Sequence, residues 1–169
     1  MKKLLGVFLA VFATVSFARN VYAGGDFEAT GASCVASDVA IQADSYLVTA
    51  GTVKHKGTNT DLIVLHCAIP QVIDAPTTLE LLYQDSTGIA GTDVTVSYMK
   101  MHKSTGAVST ISSQSSSCAS CTATTGTPLS AGRGIIDTYD PGNYRYYMKV
   151  ELDRSTSSDT AIFYGATVY

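Results

Sequence analysis

Four cysteines are the residues with the clearest chemical potential: Cys34, Cys67, Cys118 and Cys121. An even set suits disulfides in an oxidising compartment, and four cysteines allow three pairings. Proximity favours Cys118–Cys121 with Cys34–Cys67; the other two pairings would tie both early cysteines to the later segment. The Cys-x-x-Cys spacing of 118–121 also admits a redox centre, which needs a helix N-terminus to lower the thiol pKa. Here Ser115-Ser116-Ser117 and Thr122-Ala123-Thr124 flank the motif and no amphipathic helix follows, so a structural bridge is expected. Covalent haem would need His after the second Cys, where Thr122 stands, and a four-Cys zinc site needs two close pairs. No metal or cofactor site is expected.

The other reactive side chains are sparse. His55 lies between Lys54 and Lys56, a solvated setting. His66 sits in an apolar run, where a hydrogen-bonded core or interface residue is expected, and His102 lies at a hairpin tip. None has the helical spacing of a metal or hydrolase motif. Glu28, Glu80 and Glu151 are the only glutamates, and Glu80 and Glu151 fall on polar faces of expected strands, not in a cleft that would hold a glycosidase pair. The sequence therefore reads as non-catalytic. Asp137 and Asp140 offer carboxylates for Ca²⁺, without an Asp-x-Asp ladder. The ligand-contact candidates are Tyr147, on a wet strand face beside Arg145 and Lys149, and Tyr139, next to the turn at Asp140. Exposed rings beside polar groups suit sugar stacking, although Trp is absent and most of the tyrosines are expected to fill the core.

The elements that must position these residues are strands. Tyr144, Tyr146, Met148, Val150 and Leu152 alternate with Arg145, Tyr147, Lys149 and Glu151, which predicts a strand with one buried and one wet face. Ile162, Tyr164, Ala166 and Val168 alternate with Ala161, Phe163, Gly165 and Thr167 with less segregation. Further strands are expected at Leu79–Tyr83, at Val94–Tyr98, and over 62–69, which is apolar nearly throughout and therefore expected to be central. Val39–Ile41 and Tyr46–Val53 are shorter candidates. The loop 102–106 joins Val94–Tyr98 to Ala107–Ile111 as a hairpin in which Gly106 can take a positive φ. Asp140-Pro141-Gly142-Asn143 is a turn, with Gly142 accepting the left-handed position. Ser112–Thr127 is expected to be a long Ser/Thr-rich loop. Seven to nine short strands without a helix predict an all-β fold, an antiparallel, jelly-roll-like β-sandwich.

From about Cys67 to Tyr169 the chain resembles a loose group of exported single-domain bacterial β-sandwich proteins of unassigned function. The resemblance rests on His66-Cys67-Ala68-Ile69-Pro70, the Leu79–Tyr83 strand, Thr105-Gly106, the run from Asn143 to Val150, and Tyr164-Gly165 before a last strand. It implies a fold and brings no catalytic residues with it. Residues 24–60 and the Cys-x-x-Cys loop depart from the group's pattern.

Met1-Lys2-Lys3, an apolar run from Leu4 to Ala18, and Val21-Tyr22-Ala23 form the three parts of a signal peptide, so residues 1–23 are expected to be cleaved. The run of about 15 residues is shorter than the ~20 needed for a membrane span. Residues 24–169 are then a single domain, sized for one core, in a chain whose full sequence is 46% hydrophobic. Without Lys2, Lys3 and Arg19, eight basic residues face 14 acidic ones, a balance that disfavours nucleic acid. The chain reads as secreted or held at the cell surface, possible periplasmic retention included, with a glycan or protein partner or self-assembly as its business.

Overall fold

In a computed structural model of the chain, residues 27–38, 42, 44–69, 75–87, 91–117 and 129–169 are described. Residues 1–26, with the signal-peptide reading, the candidate strand Val39–Ile41, and Cys118 and Cys121 lie outside these. Eleven strands are described: β1 Phe27–Thr30, β2 Cys34–Ala36, β3 Tyr46–Thr49, β4 Thr52–His55, β5 Ile63–Ala68, β6 Thr78–Asp85, β7 Thr92–His102, β8 Val108–Ser115, β9 Leu129–Gly134, β10 Tyr144–Arg154 and β11 Ala161–Val168. The described helical residues are the 3-10 turn Gly31–Ser33 and Gln42.

Two antiparallel sheets stack. One has the order β3-β4-β11-β6-β9, with β1 also pairing β11; the other has the order β2-β5-β10-β7-β8. From β4 onward the orders 4-11-6-9 and 5-10-7-8 are those of an eight-stranded jelly roll, as expected. Alternation explains the core. Met148, Val150 and Leu152 point inward from β10 and meet Val94, Val96 and Tyr98 of β7, Ile63 and Leu65 of β5, and Leu79, Leu81, Tyr83 and Phe163 of the facing sheet, all at most 1% exposed.

Four readings need correction. In β11 the alternation reverses: Phe163 faces Tyr83 but Gly165 faces Leu82, so Tyr164 is the extra residue of a bulge. Ala161 and Phe163 are inward before it, Ala166 and Val168 after it. The run 46–53 is a hairpin, β3 turning into β4 through Ala50 (φ 49°) and Gly51 (φ 83°), two left-handed residues that match strand twist. Ala50 adopts this conformation at the cost of strain a glycine would not feel.

Ser112–Ser115 belong to β8, not to a loop, and Ser112, Gln114 and Ser116 are buried. Their polar groups are satisfied. Ser116 Oγ accepts from Val94 N–H (2.9 Å) and donates to the fully buried Asp85 Oδ2 (2.6 Å), and Ser112 Oγ donates to Gly134 O (3.2 Å) across the two sheets.

His55, read as solvated, is 5% exposed, because alternation sends its lysine neighbours outward and the imidazole in. Its Nε2 lies 3.0 Å from Asp61 O and its Nδ1 has no partner among the described residues. Burial holds its pKa below the ordinary value, with the nearby Arg154 guanidinium acting in the same direction. Arg154, 7% exposed, donates to the carbonyls of Asn59 (2.6 Å) and Gly57 (2.7 Å) and so fastens the loop after β4.

Cys34 and Cys67 form a disulfide 33 residues apart in sequence, on the facing pair of β2 and β5. The pairing agrees with the expectation from proximity. Replacing both by Ala should lower unfolding free energy by about 3–4 kcal/mol, since the bridge closes a long loop in the unfolded chain; equilibrium urea unfolding measures it. For His55, the unfolded chain binds a proton near pH 6.5 while the folded state resists it. Stability from this site is therefore complete above that pH and declines as pH falls through the lower folded value. Urea midpoints between pH 7 and 5 should fall more for the native chain than for His55→Gln, which keeps a donor toward Asp61.

Candidate functional site

The site follows from unequal strand lengths. β7 and β10 pair in unbroken register from Tyr144 opposite His102 to Arg154 opposite Thr92. β5 pairs β10 only from Leu152 to Tyr147, where Tyr147 faces Ala68. Past that point β10 runs beyond the end of β5, and the step between them is a groove of about 310 Å³ lined by Ala68, Ile69, Met101, Arg145, Tyr146 and Tyr147.

The inner side of this overhang is closed. Tyr146 stacks on Tyr98 (centroids 5.7 Å, 21°), and Tyr139 packs on Tyr146 at 4.7 Å. Tyr146 Oη accepts from Asp140 N–H at 2.7 Å. Lys100 lies 5.0 Å from the centre of the Tyr144 ring and pairs with Asp137 Oδ2 at 2.7 Å. These contacts draw the segment Ile135–Asp140 across the end of the sandwich. Tyr98 Oη is buried without a partner among the described residues, and burial pushes its pKa well up.

The outer side is open. Arg145 and Tyr147 project from it, together with Met101 on β7 and His66 and Ala68 on β5, as the registers require; Met99 shares this side but is buried, its Sδ accepting from Thr110 Oγ1 at 3.3 Å. The half-buried Tyr147 meets the His66 ring edge-on, with centroids 5.4 Å apart and planes at 73°. Two rows from the overhang, Lys149 and Glu151 form an ion pair at 2.8 Å. The face thus offers an aromatic ring held by a second ring, the Met101 thioether beside it, and a guanidinium at its rim.

Of the four candidate contacts, the structure brings Arg145 and Tyr147 together on this groove and separates Tyr139 and Asp140 from it. Tyr139 is committed to Tyr146. Asp140 is committed to its turn, accepting from Gly142 N–H (3.1 Å), Asn143 N–H (3.2 Å) and Asn143 Nδ2 (2.7 Å). The Asn143 bonds hold its pKa below the usual carboxylate range. Gly142 is not left-handed, because the Asp140 carboxylate, not glycine's freedom, shapes the turn. With Asp137 engaged by Lys100, neither carboxylate is free for Ca²⁺, and no group of three metal-ligating side chains occurs among the described residues.

Sequence reasoning missed His66 as the support of Tyr147. It lies on the outer face and not in the core, and the alternation through Ile63, Leu65 and Cys67 was the available signal. His102, at the base of the β7–β8 loop, packs on Tyr144 and has Ser104 Oγ 3.1 Å from its Nδ1. That same nitrogen faces the N–H groups of Ser104 and Thr105, so the contact is a local turn and not a nucleophile–base pair. Glu28 and Glu80 flank Thr167 on the other sheet, both away from the groove.

No protein-family model matches the chain, and no curated protein matches it in sequence. Among solved structures it is similar to the K2 cleaved adhesin domain of Lys-gingipain, at 9% identity over 85% of this chain and 99% of that one, with a TM-score of 0.49. It is also similar to CBM86, a low-affinity xylan-binding module from Roseburia intestinalis, at 11% identity over 86% of this chain and 96% of that one, with a TM-score of 0.43. Likeness at this distance transfers no residue and no ligand.

Proposed function

We propose that this is an exported, non-catalytic binding module that takes a glycan on the outer face of its five-stranded sheet. The observation that carries this reading is the Tyr147 ring, braced by His66 at 5.4 Å and set in the groove where β10 overruns β5. A sugar presents apolar C–H faces and a polar rim. An aromatic ring fixed in place stacks on the first, and Arg145 with the tyrosine hydroxyl serves the second. Among the described residues the groove lining holds neither carboxylate nor imidazole, so a bound sugar would meet no acid–base pair there. Export is supported by the Cys34–Cys67 bridge, which belongs to oxidising compartments, and by the signal-peptide pattern of residues 1–23. No described helix is long and apolar enough to cross a membrane.

Affinity electrophoresis in soluble polysaccharides tests the reading directly. Tyr147→Ala should weaken retardation at least about tenfold, the loss of one aromatic contact of roughly 1.4 kcal/mol. Tyr147→Phe keeps the ring and should keep most of the binding. A native chain retarded by no glycan at all would refute the proposal.

A second reading, a subunit of a surface assembly or filament, draws on β3. This short edge strand exposes Leu47 at 43% and Val48 at 42%, the kind of edge that adds a neighbouring strand. Size-exclusion elution that shifts to larger species with concentration, and reverts in Leu47→Lys, is the outcome it requires; elution independent of concentration rejects it.

A further inference from the structure

We infer that the glycan bound on this face carries carboxylates, as uronic acid residues, and that Arg145 reads them. The inference rests on the carbohydrate reading of the groove and adds the charge of its ligand. Four basic side chains stand at this end of the five-stranded sheet: Lys100, Lys103, Arg145 and Lys149. Three are committed within the protein. Lys100 pairs with Asp137 at 2.7 Å, Lys149 with Glu151 at 2.8 Å, and Lys103 Nζ donates to Pro141 O at 2.6 Å. Arg145 is exposed and has no hydrogen-bond or ion-pair partner among the described residues.

The contrast with the other guanidiniums is informative. Arg154 is enclosed by carbonyls and Arg133 donates to Ser113 O at 3.3 Å, so each is used to hold the fold together. Arg145 holds nothing. It lies two residues from Tyr147 on the same strand face, about 7 Å along the sheet, so a sugar stacked on the ring would place its neighbour's substituents beside the guanidinium. The groove lining adds no competing carboxylate. The planar fork of an arginine binds a carboxylate through two parallel hydrogen bonds, a geometry that a neutral hydroxyl cannot reproduce. With Lys149 balanced by Glu151, Arg145 is the unbalanced charge on this face of a protein whose net charge is −3.

The experiment compares polygalacturonate, alginate and glucuronoxylan, each intact and after reduction of its carboxyl groups to alcohols, with dextran and dextran sulfate alongside. Binding of the native chain, Arg145→Gln and Tyr147→Ala is read by isothermal titration in 0.15 M salt. At least one intact uronate polymer should bind the native chain about tenfold more tightly than its reduced form, the scale of one charge-assisted pair at an exposed site. In Arg145→Gln the intact polymer should bind no more tightly than its reduced form; in Tyr147→Ala both forms should bind about tenfold more weakly. Equal binding of intact and reduced polymers, or an undiminished preference in Arg145→Gln, overturns the charge assignment and leaves the carbohydrate reading standing. Binding confined to dextran sulfate overturns the carboxylate assignment. Binding to none of these polymers overturns the uronate assignment, and the carbohydrate reading is then decided by the electrophoresis in neutral polysaccharides. Arg145 is exposed, so Arg145→Gln should unfold at the same urea concentration as the native chain, and a matching midpoint confirms that any loss is local.

Discussion

Two eleven-residue strands in unbroken antiparallel register are the constraint on which the molecule depends. The stretch of β10 from Met148 to Leu152, against Val94 to Tyr98 of β7, already fills the sandwich interior. Continuing the same ladder from Tyr146 to Tyr144 carries the sheet past the end of β5. The overhang is held by backbone hydrogen bonds to β7. It therefore offers side chains in fixed orientation where a loop would have to order on binding.

The two ends of the sandwich divide the work. At the end marked by Arg154, a buried guanidinium is surrounded by the carbonyls of Gly57 and Asn59, and more distantly by those of Ser157 and Asp159 at 3.5 Å. Its charge is spread over backbone dipoles, and two loops are tied to one strand end. Beside it, Asp85, Ser116 and Asp93 share hydrogen bonds at the junction of both sheets. The other end buries rings instead of charges. The column Tyr98–Tyr146–Tyr139 closes the inside and leaves the outer face of the same strands uncovered. The guanidinium of Arg154, enclosed by carbonyls, marks the stabilising end; the uncommitted Arg145 marks the end available to a ligand.

Period-two patterning was legible wherever a strand was long and regular. β10 and β6 lie as their alternation requires, and the inward run Leu79, Leu81, Tyr83 continues to the buried Asp85. The reading failed at points where local context competed with alternation. The bulge at Tyr164 reverses the faces of β11, and one extra residue leaves no compositional mark. Ser112, Gln114 and Ser116 read as a loop because polar residues are seldom interior, yet Ser112 and Ser116 find partners on other strands and Gln114 donates to the carbonyl of its neighbour Ser115. Lysines on either side of His55 suggested solvent, although neighbours in a strand point to opposite faces.

What the sequence determined by itself is the class of structure and the inner and outer faces of its long strands, because alternation is a local property that each segment carries with it. That placed Arg145 and Tyr147 on one wet face before any contact was known. Only the tertiary structure decided that His66 braces that tyrosine, that Tyr139 and Asp140 belong to the closing side, and that Cys34 meets Cys67. Each of these is a pairing between segments distant in the chain, set by register and by where one strand stops short of its neighbour, and no local pattern encodes that relation.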